Sequence, residues 1–398
     1  MKKKLQEIEK GVLATYQKVS PSTFYIERSR KVYETRRALL EQIYLDRLQF
    51  PPKMFAGAEL LEFGSGTGEH SLCYLEWGAK GTFLEMNHLA CERARKLFQK
   101  LAPRKARYTI HNKSLFDFHR TQRYDITVSR GVLHHTGDVE GAFALQARYT
   151  KKGGFMILGI GNSAGYFQRN LQRAILYTFA KSEEDIASLA EELFSEHLTR
   201  AEKLGGRSRR AIIYDAYVNP KFNTPSFSEI LRFFRKYHVR LYSAWPPVLP
   251  SLLGDAAGAP RVPYEEFPGI LSIPELVWLT HRQDDAHTLA ALEKNIGKLT
   301  EALRSLTSSI EDVIPERQPN FLDLMGRTAI LKRVAGTCNP YKPAFDDLQG
   351  FLSELENLTG YLAKKNFTGV KKCIRESKYL FRGTQGLGMN YYIGRKLR

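Results

Sequence analysis

The chain has 398 residues, a formal net charge of +18, 43% apolar residues, 23 Phe and 20 Tyr. That apolar and aromatic content excludes a disordered chain and suffices for a large core with more than one folding unit. The four cysteines, Cys73, Cys91, Cys338 and Cys373, form neither a CxxC pair nor a zinc spacing, which excludes a cysteine-built metal finger and points to a reduced, cytoplasmic setting.

The positive charge has two readings: a basic globular protein of no special habit, or attraction to nucleic acid, acidic lipid or an anionic substrate. It is spread over Lys2–Lys4, Arg28 to Arg37, Lys96 to Arg107, Arg207–Arg210 and Lys364 to Arg382, with no low-complexity tail. Met1-Lys2-Lys3-Lys4 is followed by no apolar core, so no secretory signal is expected there. No uninterrupted apolar span is long enough for a membrane helix.

Residues up to about Phe50 read as helical, with Leu39, Leu40, Ile43, Tyr44 and Leu48 on one stripe, and Pro51-Pro52 ends the run. Leu60-Leu61-Glu62-Phe63 then reads as a short buried strand running into Gly64-Ser65-Gly66-Thr67-Gly68, with glycine at every second position. A strand that turns at once on glycines and opens a helix (Glu69–Trp77) is the first unit of a nucleotide-binding α/β sheet. Strand–helix alternation continues: Thr82–Glu85 strand, His88–Leu101 helix, Arg107–His111 and Tyr124–Ser129 strands, Val139–Tyr149 helix, a Lys151–Gly154 turn and a Phe155–Ile160 strand. Such alternation predicts a doubly wound parallel sheet whose ligand lies off the carboxyl ends of the strands.

Beyond Gly161, helices are expected over Gln168–Ala180, Glu183–Lys203 and Ser226–Arg235, and a sixth strand over Val239–Ala244. Between them lie a basic glycine break at Gly205–Arg210 and an apolar stretch, Ala211–Pro220. Pro246 to Pro274 is rich in Pro and Gly and reads as a long ordered connection. A heptad-like seam runs from Leu289 through Leu292, Ile296, Leu299, Leu303, Leu306 and Ile310 to Val313, and a second helix, Asp347–Lys364, carries Leu348, Leu352, Leu355, Leu358 and Leu362. These two pack most simply as a hairpin, with a homodimer through residues 286–365 as the alternative. Met389–Lys396 reads as the seventh strand, which makes the helical region an insertion between strands six and seven. The expected division is 1–50 helical cover, 51–160 core, 161–225 helical and loop insertion, 226–245 core helix and strand, 246–385 loop plus helical insertion, and 386–398 final strand.

The glycines at 64, 66 and 68, with Glu62 ending the strand, depart from the GxGxxG of dinucleotide dehydrogenases. Glu62 to Gly68 instead resembles the first motif of class I S-adenosylmethionine-dependent methyltransferases, E/D-x-G-x-G-x-G. The resemblance continues in order through Glu85, through Ser129-Arg130-Gly131-Val132-Leu133-His134-His135-Thr136-Gly137-Asp138, and through Lys151-Lys152-Gly153-Gly154, where Lys152 replaces a proline. It is good from about Pro52 to Ile160 and weaker to residue 245, and within the class it is closest to a bacterial small-molecule subgroup. It implies a Rossmann-like sheet of seven strands, the last antiparallel, with helical insertions, and S-adenosylmethionine as cofactor without a metal.

By the resemblance, Glu62, Gly64, Ser65, Gly66, Gly68, Glu85, Met86, Ser114, Leu115 and Arg130 bind the cofactor. Glu85 would accept hydrogen bonds from two vicinal ribose hydroxyls, Met86 would lie on the adenine, and Ser114 stands where relatives carry an Asp. His134 and His135 are candidates for moving a proton, set against a role as turn caps or pocket wall. Asp215 and Tyr217 are candidates for facing the acceptor, set against a structural turn held by Asp215. The N/D-P-P-Y/F signature of base-amine methyltransferases is missing after strand four; Asn219-Pro220 and Asn339-Pro340-Tyr341 read as turns. The expected reaction is methyl transfer to O or N of a small or medium-sized metabolite. An RNA or protein methyltransferase is the alternative from the basic charge, and a non-catalytic binding scaffold is the alternative from another class.

Overall fold

The computed structural model describes residues 2–19, 24–205, 207–246, 273–280, 296–313, 321–337, 342–381 and 389–398. Seven strands form one sheet: β1 (Glu59–Phe63), β2 (Lys80–Glu85), β3 (Tyr108–Asn112), β4 (Tyr124–Arg130), β5 (Thr150–Gly161), β6 (Val239–Trp245) and β7 (Met389–Lys396), in the order β3-β2-β1-β4-β5-β7-β6. β1 to β5 are parallel, and β7 runs antiparallel between β5 and β6. This is the seven-stranded sheet expected from the sequence, with the last strand antiparallel.

Period-two alternation gives the sheet two apolar faces. Leu61 and Phe63 of β1, and Met156, Leu158 and Ile160 of β5, point into one core; Leu60 and Ile157 point into the other. The second core is closed by α2 (Arg30–Gln42), α3 (Glu69–Glu76) and α4 (His88–Leu101), through Leu40, Leu72, Tyr74, Leu97 and Phe98. The first is closed by α5 (Val139–Tyr149) and α6 (Ser163–Phe179), which also meet the insertion helices. Tyr44, on a wide turn (Ile43–Arg47) that continues α2, donates to or accepts from Tyr74 at 2.9 Å, so the α2 segment belongs to the sheet face. α1 (Lys2–Lys18) lies over the carboxyl ends of the strands.

Two expected features differ. Lys151–Gly154 is not a turn before β5 but a bulge within it: pairing jumps from Tyr124↔Thr150 to Ile126↔Phe155, and Gly153 takes φ +78° to absorb the extra residues. The helical insertion is also not a two-helix hairpin. After α7 (Glu183–Gly205), α8 (Arg209–Ile213), α9 (Phe227–Lys236) and α10 (Ile273–Thr280), the chain forms α11 (Ile296–Val313), α12 (Phe321–Thr337), α13 (Lys342–Ala363) and α14 (Phe367–Glu376). α12 lies between α11 and α13 and packs on both. Leu289, Leu292 and most of the Pro246 to Pro274 connection lie outside the described residues. No helix among the described residues is long and apolar enough to cross a membrane.

Candidate active site

β1 and β4 are neighbours at the point where strand order reverses, so the turns leaving them splay apart and open a crevice. A cavity of about 210 Å³ occupies it. Gly64, Gly66, Glu85 and Met86 line one side, and Arg130, Val132, His135 and Thr136 the other. Lys113, Ser114 and Leu115 close the end toward β3, and Glu9, Val12, Leu13 and Tyr16 of α1 form the roof.

The three glycines do different things. A Cβ on Gly64 would come within 2.3 Å of Val132, and one on Gly68 within 2.8 Å of Phe98, so both allow close packing. A Cβ on Gly66 would meet nothing within 4 Å, and its φ of +57° aims that position at open cavity. The Gly66 N–H donates to Glu85 Oε2 at 2.9 Å and the Asn87 N–H to Oε1 at 2.8 Å. Burial pushes the Glu85 carboxyl up, while these backbone N–H groups oppose the shift. Each carboxylate oxygen keeps a lone pair for one further donor.

Not every residue expected at the cofactor reaches the cavity. Glu62 is buried and accepts from Ser71 Oγ at 2.5 Å; burial lifts its pKa to about 7, so it braces α3 against β1. The Ser65 side chain is also buried, and its N–H donates to Leu84 O at 3.0 Å, tying the glycine turn to β2. Ser114 accepts from the Phe116 N–H at 3.2 Å and is hydrogen-bonded to Glu9 of α1.

The two histidines are held in opposite tautomers. The Gly161 N–H donates to His134 Nδ1 at 3.2 Å, which leaves the proton on Nε2. His135 Nδ1 lies 2.9 Å from the Lys221 carbonyl, which can only accept, so His135 carries its proton on Nδ1 and Nε2 is a bare acceptor. Burial lowers both pKa values, that of His134 strongly, and Asp215 pulls against the shift at His135. His134 is 1% exposed and lies behind the cavity wall, whereas His135 lines the cavity.

Asp215 sits on the wide turn Tyr214–Val218 that follows α8. It accepts from Tyr16 Oη at 2.7 Å and pairs with Arg207 Nη1 at 3.3 Å, so it clasps the roof to the wall from behind. Tyr217 does not face an acceptor: it is fully buried and donates to Gln172 Oε1 at 3.0 Å. The sequence assigns no residue of α1, nor Lys113 or Arg207, to the site, yet Glu9, Val12, Leu13, Tyr16, Lys113 and Arg207 line the cavity. Only the basic break at Gly205–Arg210 hinted at Arg207.

The sheet order and the strand-end crevice define the class I methyltransferase fold. Residues 33–192 match the family described as a methyltransferase domain. No curated protein matches the chain. Among solved structures, a putative methyltransferase from Bacillus halodurans is 13% identical over 48% of this chain and 65% of its own, with a TM-score of 0.31. Magnesium protoporphyrin IX methyltransferase from Synechocystis PCC 6803, with bound SAM, is 16% identical over 34% of this chain and 63% of its own, TM-score 0.27. A methyltransferase from Mesorhizobium loti is 22% identical over 28% of this chain and 49% of its own, TM-score 0.25. The chain thus spans just under two thirds, or less, of the length of these structures.

The cavity residues fit S-adenosylmethionine. The cradle at Gly66 is one that a Cβ would fill, and the Glu85 carboxylate has acceptor capacity for two hydroxyls. Arg130 lines the cavity, and its buried Nε has no partner among the described residues, a donor suited to a carboxylate.

Proposed function

We propose that the protein transfers a methyl group from S-adenosylmethionine to an oxygen or nitrogen of a small or medium-sized metabolite, with His135 as the general base. One observation carries the reading: Gly66, Glu85 and His135, whose Nε2 is left without a proton, line a single cavity. When bound, S-adenosylmethionine supplies an electrophilic methyl on a sulfonium. Glu85 holds the ribose hydroxyls, Gly66 leaves room for close approach, and Arg130 meets the carboxylate. His135, kept neutral by burial, takes the proton that the acceptor loses. His134 would present an N–H there, so its role is to hold the wall through Gly161 and, by its carbonyl, the Asn223 N–H at 2.7 Å.

The α1 roof favours a small acceptor over a polymer, since it encloses the volume beside His135. At about 210 Å³ the cavity is smaller than the roughly 300–1,000 Å³ of typical ligand sites. In this reading, room for donor and acceptor together requires the roof to rise.

The test measures S-adenosylhomocysteine release over a panel of small hydroxy and amino acceptors, beside calorimetric affinity for S-adenosylhomocysteine. In His135→Gln, turnover should fall by about 10²–10⁴-fold with affinity retained. In His134→Gln the main loss should be thermal stability. No affinity for S-adenosylhomocysteine in the wild type would overturn the reading, and full turnover in His135→Gln would remove the base.

A further inference from the structure

Arg173, on α6, is 1% exposed and heads the set of largest fully buried side chains. Its Nη2 donates to the Asn219 carbonyl at 2.7 Å and more distantly to Tyr177 Oη at 3.4 Å. Nε and Nη1 have no partner among the described residues, and no carboxylate there lies within ion-pair distance of it. Arginine keeps its charge when buried, and an uncompensated buried charge is costly. The surroundings add two amide donors and one acceptor. Asn219 Nδ2 and both amide atoms of Asn170, one turn earlier on α6, are also buried without partners among the described residues. Proteins keep so few such atoms that a cluster calls for a ligand or bound water.

This cluster lies one side-chain layer behind the cavity wall. The Arg173 guanidinium carbon is 6.0 Å from the Phe222 ring centroid, and the Phe222 ring is 5.1 Å from that of His135. Phe222 is half-buried and sits on the irregular segment between Asn219 and Ser226, where turning it aside breaks no helix or strand bond. Arg173 and Arg169 both act electrostatically on His135 across this layer.

We propose that Arg173 receives an anionic group of the acceptor, a carboxylate or a phosphate, once Phe222 swings from between it and His135. The free Nε–H and Nη1–H groups lie on different edges of the guanidinium, and the anion accepts from one of them and neutralises the charge. A water molecule would satisfy the N–H groups and leave the charge. The proposal rests on the methyl-transfer reading, since it places the acceptor against His135.

The experiment uses the full chain saturated with S-adenosylhomocysteine, whose binding is measured first. Thermal unfolding is then followed with inorganic phosphate, and separately with acetate, each replacing chloride at constant ionic strength. A saturable rise in Tm with phosphate alone assigns a phosphorylated acceptor, and one with acetate alone a carboxylate; a rise with both leaves the anion site supported and either acceptor fitting it. The half-effect concentration should be about tenfold or more higher in Arg173→Gln and lower in Phe222→Ala. Absence of any anion-specific rise in the wild type, or the same rise in Arg173→Gln, overturns the site while normal S-adenosylhomocysteine binding leaves methyl transfer standing. Should Arg173→Gln fail to fold, wild-type crystals soaked in selenate decide. Selenium within reach of Arg173 Nε or Nη1 supports the site, and water alone there overturns it.

Discussion

The glycine half and the histidine half of the cavity are built in opposite ways. The glycine half comes from one run of chain, β1, its turn, α3 and β2, and its contacts are largely backbone: the Ser65 N–H to Leu84 O, and the Gly66 and Asn87 N–H groups to Glu85. The histidine half is assembled from α1, the segment after β4, the turn after α8 and the loop at Lys221. Tyr16 and Asp215, 199 positions apart, meet at 2.7 Å there. A site made of local backbone geometry is rigid and readable from spacing, whereas one made of distant side chains depends on the whole fold.

The largest test of that contrast is Gly66→Val. A branched side chain would project into the cavity where the donor is proposed to bind, from a backbone position at φ +57° that L-residues rarely adopt. Calorimetry should show S-adenosylhomocysteine affinity reduced by about a thousandfold, or ~4 kcal/mol. The same change at Gly68 should act on folding, because its Cβ would strike Phe98 inside the core. Unchanged affinity in Gly66→Val would mean that the donor does not lie at the glycine turn.

The next test uses pH, because the halves respond to it with opposite sign. Glu62 in the glycine half has its pKa raised from 4.5 to about 7, so the folded protein holds a proton that the unfolded chain releases. Its stabilising contribution is complete below pH 4.5 and is lost as pH rises through about 7. His134 and His135 are held below the usual 6.5 by burial. There the unfolded chain binds the proton first, and stability is lost as pH falls below 6.5. Glu62→Gln keeps an acceptor for Ser71 without the titration. Urea unfolding should show its stability relative to wild type rising by up to about 3 kcal/mol between pH 5 and pH 8. Parallel profiles would show that Glu62 is ionised in the fold.

Legibility in the sequence followed the same divide. The strands and the glycine turn were readable because alternation and glycine spacing are local signals, and the helices His88–Leu101 and Val139–Tyr149 begin and end where expected. α12 was missed because its buried stripe, Phe321, Leu324, Thr328, Leu331 and Ala335, is broken by a polar and a small residue. Thr328 sits there by donating its hydroxyl to Leu324 O at 2.8 Å, which removes the cost of burying it. The α1 contacts were illegible for a different reason: nothing near Glu9 or Tyr16 shows that Ser114 and Asp215 will arrive beside them. Glu62 misled in the other direction. An acid at the end of β1 matches a ligand-binding pattern, but its carboxylate turns to Ser71.

The smallest effect, and the finest probe of the glycine half, is expected from Glu85→Gln. The carboxylate accepts the Gly66 and Asn87 N–H groups, one on each oxygen, and in the proposed site a second lone pair on each meets the donor's ribose. An amide has one oxygen and one NH₂. Whichever way it turns, its NH₂ faces either the Gly66 or the Asn87 N–H, and one ribose hydroxyl loses its acceptor. S-adenosylhomocysteine affinity should fall about tenfold to a hundredfold, the loss of one or two hydrogen bonds to a charged group. The 2′,3′-dideoxy analogue separates the two causes. If Glu85 acts on the ribose, the wild type should bind the analogue weakly and Glu85→Gln should discriminate less between the two compounds than the wild type does. If Glu85 only braces the turn at Gly66, the variant should lose affinity equally for both and still discriminate between them.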